Sequence, residues 1–353
     1  MKKQTSILNL LRLRSGTFVL LVLLATISCS KGSSTGGGGN VVTPPPPPPP
    51  PVVTPLLSIP AGWKYSATLS SAYPEGMQVY SIDSTWDGQK LKAFAVLWDS
   101  KNPNIEMKPV LSATAKKPSA FFSGELGVVL ACINGGFFGG NQSYSTVKYS
   151  NEVLSPNIKA VNRIFNGSST AYFPTRAAVG LSSSGVPSAT WIYHDGASNE
   201  IMYSYPAPSP NAEGKEPQPA PNASFPAGAA VWNVTTAIGG SPMLIHNNAI
   251  KITDKEELIS INNTTSRPRS AIGFNSNGIM MLLAVEGDNA TAGYSGLNLL
   301  QLANLMQTFG LSHAMNLDGG GSTSLILNNQ PTVRPGDSGV ERPVVSAIIL
   351  KRK

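Results

Sequence analysis

Four polar residues stand at the ends of apolar runs. Asn134 follows Val128-Val129-Leu130-Ala131-Cys132-Ile133, and Arg269 opens Arg269-Ser270-Ala271-Ile272-Gly273. Glu286 follows Ile279 to Val285, and Asp318 follows Leu311 to Leu317. Glycine crowds the same places. Gly135 and Gly136 come after Asn134, Gly239-Gly240-Ser241-Pro242 closes another apolar segment, and Gly319, Gly320, Gly321 and Ser322 come after Asp318. Two carboxylates across an open cleft suit glycosidic chemistry. A planar guanidinium beside them suits phosphate oxygens. Successive glycines strip a loop of side chains and permit positive φ or close backbone approach, and their N–H groups can form an anion-binding nest. Taken singly, each feature has a plainer meaning: a hairpin turn for the glycines, a turn or capping acid for Glu286 and Asp318, a strand-edge ion pair for Arg269.

Other chemistries lack their signatures. There is no zinc spacing of His and Cys and no Gly-Lys-Ser phosphate loop. No Gly-x-Ser-x-Gly opens a helix, so a Ser-His-Asp triad has no nucleophile elbow. His194, His246 and His313 are isolated. No cofactor motif is present and no metal ligands are assigned. Hard oxygen ligands from Glu286, Asp288 and Asp318 would suit calcium or magnesium, which keeps a cation-dependent phosphodiesterase as the rival enzyme. A non-catalytic glycan-binding lipoprotein is the rival from another class.

The elements that must position these residues read mostly as strands. Met77 to Ile82 and Lys90 to Leu97 alternate around Asp87-Gly88-Gln89, a hairpin pattern. Ile279 to Val285 is continuously apolar, as in a central strand covered on both faces. Val344 to Leu350 reads as the last strand. Short helices fit Ser119 to Gly124 and one or two turns at Thr253 to Ile259. The clearest helix carries the stripe Leu299, Leu302, Met306 and Phe309, with Ser295 as N-cap and Gly310 beyond its end. Arg176 to Gly185 and Arg269 to Gly278 echo one another as two similar hairpins. Tyr205 to Ala227, rich in Pro, Ala and Asn, reads as a long surface excursion, a lid or an insertion. The expected fold class is α+β: a mixed, strand-rich sheet with a few helices, whose glycine-rich loops at strand ends form one cleft.

The N-terminus of the 353-residue chain has a different character. Met1-Lys2-Lys3 with Arg12 and Arg14 precedes the apolar Phe18 to Ala25, and Thr26-Ile27-Ser28-Cys29 follows. Residues 1–28 read as a lipoprotein-type signal peptide with the lipid on Cys29, despite Thr26 where leucine is usual. Losing them removes four cations from a net charge of +7. That leaves no clustered basic face for nucleic acid. Cys132, in an apolar run, then has no disulfide partner and reads as a buried inert thiol. Residues 29–55 form a Gly/Pro-rich tether, 56–127 a strand-rich region and 128–353 the domain carrying the motifs. The expected location is the bacterial cell envelope, with the membrane as partner through Cys29.

Asn134-Gly135-Gly136-Phe137-Phe138, Gly239-Gly240-Ser241-Pro242, Arg267-Pro268-Arg269-Ser270-Ala271-Ile272-Gly273, Glu286-Gly287 and Asn316-Leu317-Asp318-Gly319-Gly320-Gly321-Ser322 occur here in that order. In this the chain resembles the phosphodiester glycosidase family from Val128 to Leu350; Ser270 stands where threonine is usual. The resemblance implies that Asn134, Arg269, Glu286 and Asp318 line the active cleft. It also implies hydrolysis of a sugar-1-phosphodiester to sugar and phosphomonoester. A lipoprotein context does not suit the family's lysosomal-targeting substrate. Gly135, Gly136, Gly240, Ser241, Gly319, Gly320, Gly321 and Ser322 are the expected substrate contacts.

Overall fold

Turn chemistry and alternation build the first hairpin. Met77–Trp86 and Gln89–Asp99 pair antiparallel, from Met77 opposite Trp98 to Trp86 opposite Gln89. Only Asp87 and Gly88 lie between them, with φ of 48° and 74°, the positive angles that a two-residue hairpin turn requires. The computed structural model describes residues 53–353 apart from Ser198 and Glu200. The signal sequence, Cys29 and the tether up to residue 52 lie outside the described residues. Val53–Lys353 forms one compact unit.

Three larger sheets meet in that unit. The eight-stranded sheet runs Lys64–Tyr65, Met77–Trp86, Gln89–Asp99, Ile279–Val285, Arg269–Phe274, His313–Asn316, Met243–His246, Ala249–Ile250. The seven-stranded sheet is centred on Pro187–Asp195, Arg176–Leu181 and Thr236–Gly239. The five-stranded sheet is centred on Leu325–Leu327, Val129–Asn134 and Val344–Arg352, with Ile105–Lys116 at one edge. The chain is therefore α+β: strand-rich, with few and short helices.

Ile279–Val285 is apolar throughout because both its faces are covered. Met280, Leu282 and Ala284 join Val96, Trp98, Ile133, Val179 and Ile348 in a core shared by all three sheets. Met281, Leu283 and Val285 face the other way, against Leu302 and Met306 of the helix Leu299–Thr308 and Phe309 that caps its C-terminus. Period-two alternation is present in this strand but hidden from the sequence, since neither face meets water. The N-cap of this helix is Asn298, not the expected Ser295. Asn298 Oδ1 accepts from the Gln301 N–H at 2.8 Å, and the Gln301 side chain returns a bond to the Asn298 N–H at 3.1 Å, a capping box that Ser295 is too far upstream to make. Thr253–Ile259 forms hydrogen-bonded turns and no helix. The two echoing segments are both hairpins, Arg176–Leu181 with Pro187–Asp195 and Arg269–Phe274 with Ile279–Val285, in different sheets.

Residues 56–127 are built into the same sheets as the rest. Gln89–Asp99 pairs with Ile279–Val285, and Ile105–Lys116 pairs with Val344–Arg352. Cys132 is fully buried and free, and burial pushes its thiol well above the usual range. No helix among the described residues is long and apolar enough to cross a membrane.

Candidate active site

Antiparallel pairing gathers the chemistry at one end of the central strands of the eight-stranded sheet. Arg269 begins a strand whose two neighbours run the opposite way. Val285 lies opposite Arg269, and Asn316 lies opposite Ala271. The residues just past the ends of those neighbours, Glu286 and Asp318, therefore come near the start of the Arg269 strand. The glycine turns occur where the chain leaves one sheet for another. Gly239-Gly240-Ser241 passes from the seven-stranded to the eight-stranded sheet, and Asp318 to Ser324 passes from the eight-stranded to the five-stranded sheet.

A depression of about 280 Å³ opens at this junction, and Asp318, Asn316, Arg267, Arg269, Arg342, Phe137 and Gly319–Gly321 line it. Asp318 is its carboxylate. Burial pushes the Asp318 carboxyl up to about 6, against the opposing effects of the Ser322 hydroxyl, the Gly319 N–H and the positive charge of Arg342. The Gly319 N–H donates to Asp318 Oδ1 at 2.9 Å. A carboxyl so placed exchanges its proton near neutral pH, as general acid–base work requires.

Arg269 lines the same depression but is nearly buried, at 3% exposure. Its Nε donates to the Leu297 carbonyl at 2.8 Å, and Nη2 donates to the carbonyls of Asn262 and Thr265 at 2.9 and 3.1 Å. Burial and the nearby Arg267 lower its pKa to about 10, which Asp288 opposes; the group stays cationic at neutral pH. One side of its fork thus ties down the 262–265 loop.

Glu286 and Asn134 do not lie on the wall of this depression. Glu286 is 1% exposed, and its oxygens accept from Lys92 Nζ (2.9 Å), the Arg334 N–H (2.9 Å) and Asn289 Nδ2 (2.7 Å). Burial disfavours its charge, but these three donors outweigh that and hold its carboxyl below the usual range. The donors occupy the oxygens that a cation would need. No group of three or more His, Cys, Asp or Glu side chains among the described residues is placed to hold a metal ion, so Glu286, Asp288 and Asp318 do not assemble a ligand set. Asn134 is fully buried. Its Nδ2 donates to the Asp318 carbonyl at 2.7 Å, while Oδ1 accepts from the Ser270 hydroxyl at 2.6 Å and the Ser324 N–H at 3.2 Å. Asn134 ties three segments together beneath Asp318, and Glu286 holds the backbone at Arg334.

The glycines serve close packing more than anion capture. A Cβ on Gly136 would run into the Gly239 carbonyl and Ser145, and one on Gly240 into the Asn316 carbonyl. Gly135, Gly136, Gly240 and Ser241 lie off the wall of the depression. The Gly319 N–H is taken by Asp318, and the Gly320 N–H donates to the Pro268 carbonyl at 2.9 Å. Two of the three glycine amides of this loop are therefore already engaged. Ser322 is 1% exposed, and its hydroxyl lies beside the Asp318 carboxyl without a well-aligned hydrogen bond to it.

Two further cations, little marked by the sequence, line the depression. Arg267 is exposed, and its side chain has no hydrogen-bond or ion-pair partner among the described residues; it was visible only as part of Arg267-Pro268-Arg269. Arg342 makes a bidentate pair with Asp337, both bonds at 2.7 Å, and carried no sequence signal. Asn316 Nδ2 donates to the Ser241 carbonyl at 2.8 Å, while its Oδ1 is buried and unpartnered at the depression. Behind it sits Glu257, fully buried. Its carboxylate accepts from the Ser241 and Thr253 hydroxyls (both 2.5 Å), the Met243 and Ala177 N–H groups (2.9 and 3.0 Å) and Trp191 Nε1 (3.0 Å). Glu257 had no local signal, because its donors come from distant segments.

Fold and site together describe a protein of antiparallel sheets with one carboxylate in an arginine-lined depression where the sheets meet. Residues 128–351 match the family model described as phosphodiester glycosidase, and the chain belongs to that family. No curated protein matches the chain. Among solved structures it is similar to a hypothetical protein from Synechocystis, at 18% identity and a TM-score of 0.53, covering 79% of this chain and 63% of that one. It is also similar to the catalytic domain of zebrafish N-acetylglucosamine-1-phosphodiester alpha-N-acetylglucosaminidase auto-inhibited by pro-peptide, at 15% identity and a TM-score of 0.51, covering 83% and 89%. Likeness at these identities shows a shared fold.

Proposed function

We propose that this protein hydrolyses the glycosidic bond of a sugar-1-phosphodiester, releasing sugar and a phosphomonoester. The observation that carries this reading is a carboxyl raised to about 6 among three guanidinium groups in one depression. The arginines complement a phosphodiester anion, and Asp318 supplies the group that reacts or moves a proton. Family membership supports hydrolase chemistry on this substrate class.

In the proposed reaction the bond between the anomeric carbon and the phosphate oxygen breaks, and its electron pair leaves with the phosphate. Water supplies the oxygen that ends on the sugar. Asp318 either takes the proton of that water or attacks first and is then released by water. Phosphate leaves readily, so the larger demand is to stabilise its growing charge. Arg267, unpaired among the described residues, supplies the positive charge there, while Arg342, held by Asp337, and Arg269, fixing the 262–265 loop, shape the wall around it. Asn316 Oδ1 offers an acceptor for a sugar hydroxyl. We further propose that the protein acts in the bacterial cell envelope, tethered through a lipid on Cys29.

Turnover of a panel of sugar-1-phosphodiesters in water enriched in heavy oxygen tests the reading. Heavy oxygen is expected in the released sugar; its appearance in the phosphomonoester would mean cleavage at phosphorus and end the glycosidase assignment. Asp318→Asn separates enzyme from glycan binder: loss of turnover with retained diester binding is expected.

A further inference from the structure

Arg342 lies between two carboxylates and pairs with only one of them. Its Nε and Nη2 donate to Asp337 Oδ2 and Oδ1, both at 2.7 Å, the parallel fork that suits a guanidinium and a carboxylate. Its charge also acts on Asp318, yet among the described residues no ion pair joins Arg342 to Asp318. We propose that Asp337 is a positioning residue: it grips Arg342 and keeps that guanidinium from closing on Asp318, which stays an unpaired carboxyl in the depression. The proposal rests on the glycosidase reading for what Asp318 does, while the grip itself can be tested without substrate.

The loop from Arg334 to Arg342 builds the grip. One end is held where the Arg334 N–H donates to Glu286 at 2.9 Å. Near the other end, Glu341 accepts from the Ser119 N–H at 3.0 Å and the Ser324 hydroxyl at 3.2 Å. Between them the Gly339 N–H donates to the Pro335 carbonyl at 2.9 Å, and the Val340 N–H to the Asp337 carbonyl at 3.0 Å. Asp337 therefore sits in a closed turn, and its ion pair lies directly on Gly321. Gly321 has no positive φ, so its own backbone angles do not call for glycine. A Cβ there would collide with Asp337 Oδ1 and Arg342 Nη2; the residue is small to make room for the pair. The charged groups that line the depression with Asp318 are Arg267, Arg269 and Arg342, and of these only Arg342 bears on its carboxyl. Arg269 is spent on three carbonyls. Arg342 is thus the cation that could neutralise Asp318. An opposite charge within about 4–6 Å lowers a carboxyl by roughly 1–3 pH units, and a carboxylate so held is a weaker base.

Carbon-13 NMR of the protein labelled in its aspartate carboxyls follows Asp318 directly, with Asp318→Asn identifying its signal. In Asp337→Asn the released guanidinium should lower the Asp318 titration midpoint by about one pH unit or more. Losing the Asp337 charge could lower the midpoint by itself, so the same change is also made in Arg342→Gln. With no guanidinium to release, Asp337→Asn should there leave the midpoint nearly unmoved. The side chains of Asp337 and Arg342 are each 43% exposed, so these variants should fold. An equal fall in both backgrounds would mean that Asp337 acts only through its own charge. No fall in either would mean that Arg342 never turns to Asp318. Each result overturns the proposal. With a sugar-1-phosphodiester, the pH midpoint of kcat/KM should fall together with the NMR midpoint; a rate profile that stays in place while the NMR midpoint falls also overturns the positioning role. Absence of turnover by the wild-type chain ends the glycosidase reading alone.

Discussion

Asp318 carries a proton linkage that can be read as stability. Its carboxyl is raised on folding, from 3.8 to about 6, so the native state binds this proton more tightly than the unfolded chain does. The contribution to stability is fully present below pH 3.8, is lost as pH rises to about 6, and above that the buried charge is a standing cost. Asp318→Asn should therefore stabilise the protein at pH 8 by on the order of 1–3 kcal/mol and have little effect at pH 4. Urea unfolding at the two pH values measures this; equal destabilisation at both would refute the linkage. As base or nucleophile, Asp318 must be ionised, so kcat/KM should rise with pH through about 6. Arg267 is exposed and has no partner among the described residues, so its loss touches binding and not folding. Arg267→Ala should raise KM by roughly tenfold to a hundredfold, the range for a lost charge-assisted hydrogen bond, with an unchanged thermal midpoint. A normal KM would remove Arg267 from phosphate binding.

Among the elements, the Ser241 turn shows how a buried acid governs an exposed site. Glu257 accepts from donors on four stretches of chain and fixes Ser241, whose carbonyl holds the Asn316 amide at the depression. Glu257→Ala would leave these donors buried without a partner, and should cost about 3–5 kcal/mol in chemical unfolding. Glu257→Gln keeps the shape but turns N–H groups towards other donors, so it should recover only part of the stability. If Glu257 matters only for folding, kcat and KM of the folded Gln variant will equal those of wild type; displacement of Asn316 should change them.

For the molecule as a whole, the family match begins at residue 128, but the sheets do not. Val96, Trp98 and Met107 come from earlier strands and lie in the core shared by the three sheets. Lys92, the ion-pair partner of Glu286, is also earlier. A chain beginning at residue 128 would bare the unpaired edge of Ile279–Val285, a template for aggregation. It should give no cooperative thermal transition, whereas a chain beginning at Val53 should melt cooperatively and run as a discrete species on gel filtration. A cooperative melt from the shorter chain would show that the matched span is self-sufficient.

Much of this was legible in the amino-acid order because it is local. Strand alternation, the Asp87-Gly88 turn, the helix stripe and the glycine turns after apolar runs all depend on neighbours a few residues away. The N-cap was misplaced by three residues because Ser295 and Asn298 are both good caps and only the side chain of Gln301 chooses between them. The tertiary structure decided which polar residues face the depression. Glu286 and Asp318 look alike in sequence, each ending an apolar strand. One is enclosed by Lys92, Arg334 and Asn289, which favour its charged form, while the other sits among arginines with its proton held more tightly than in an ordinary carboxyl. Burial and distant donors set that difference, and both are properties of three sheets meeting rather than of any one stretch of chain.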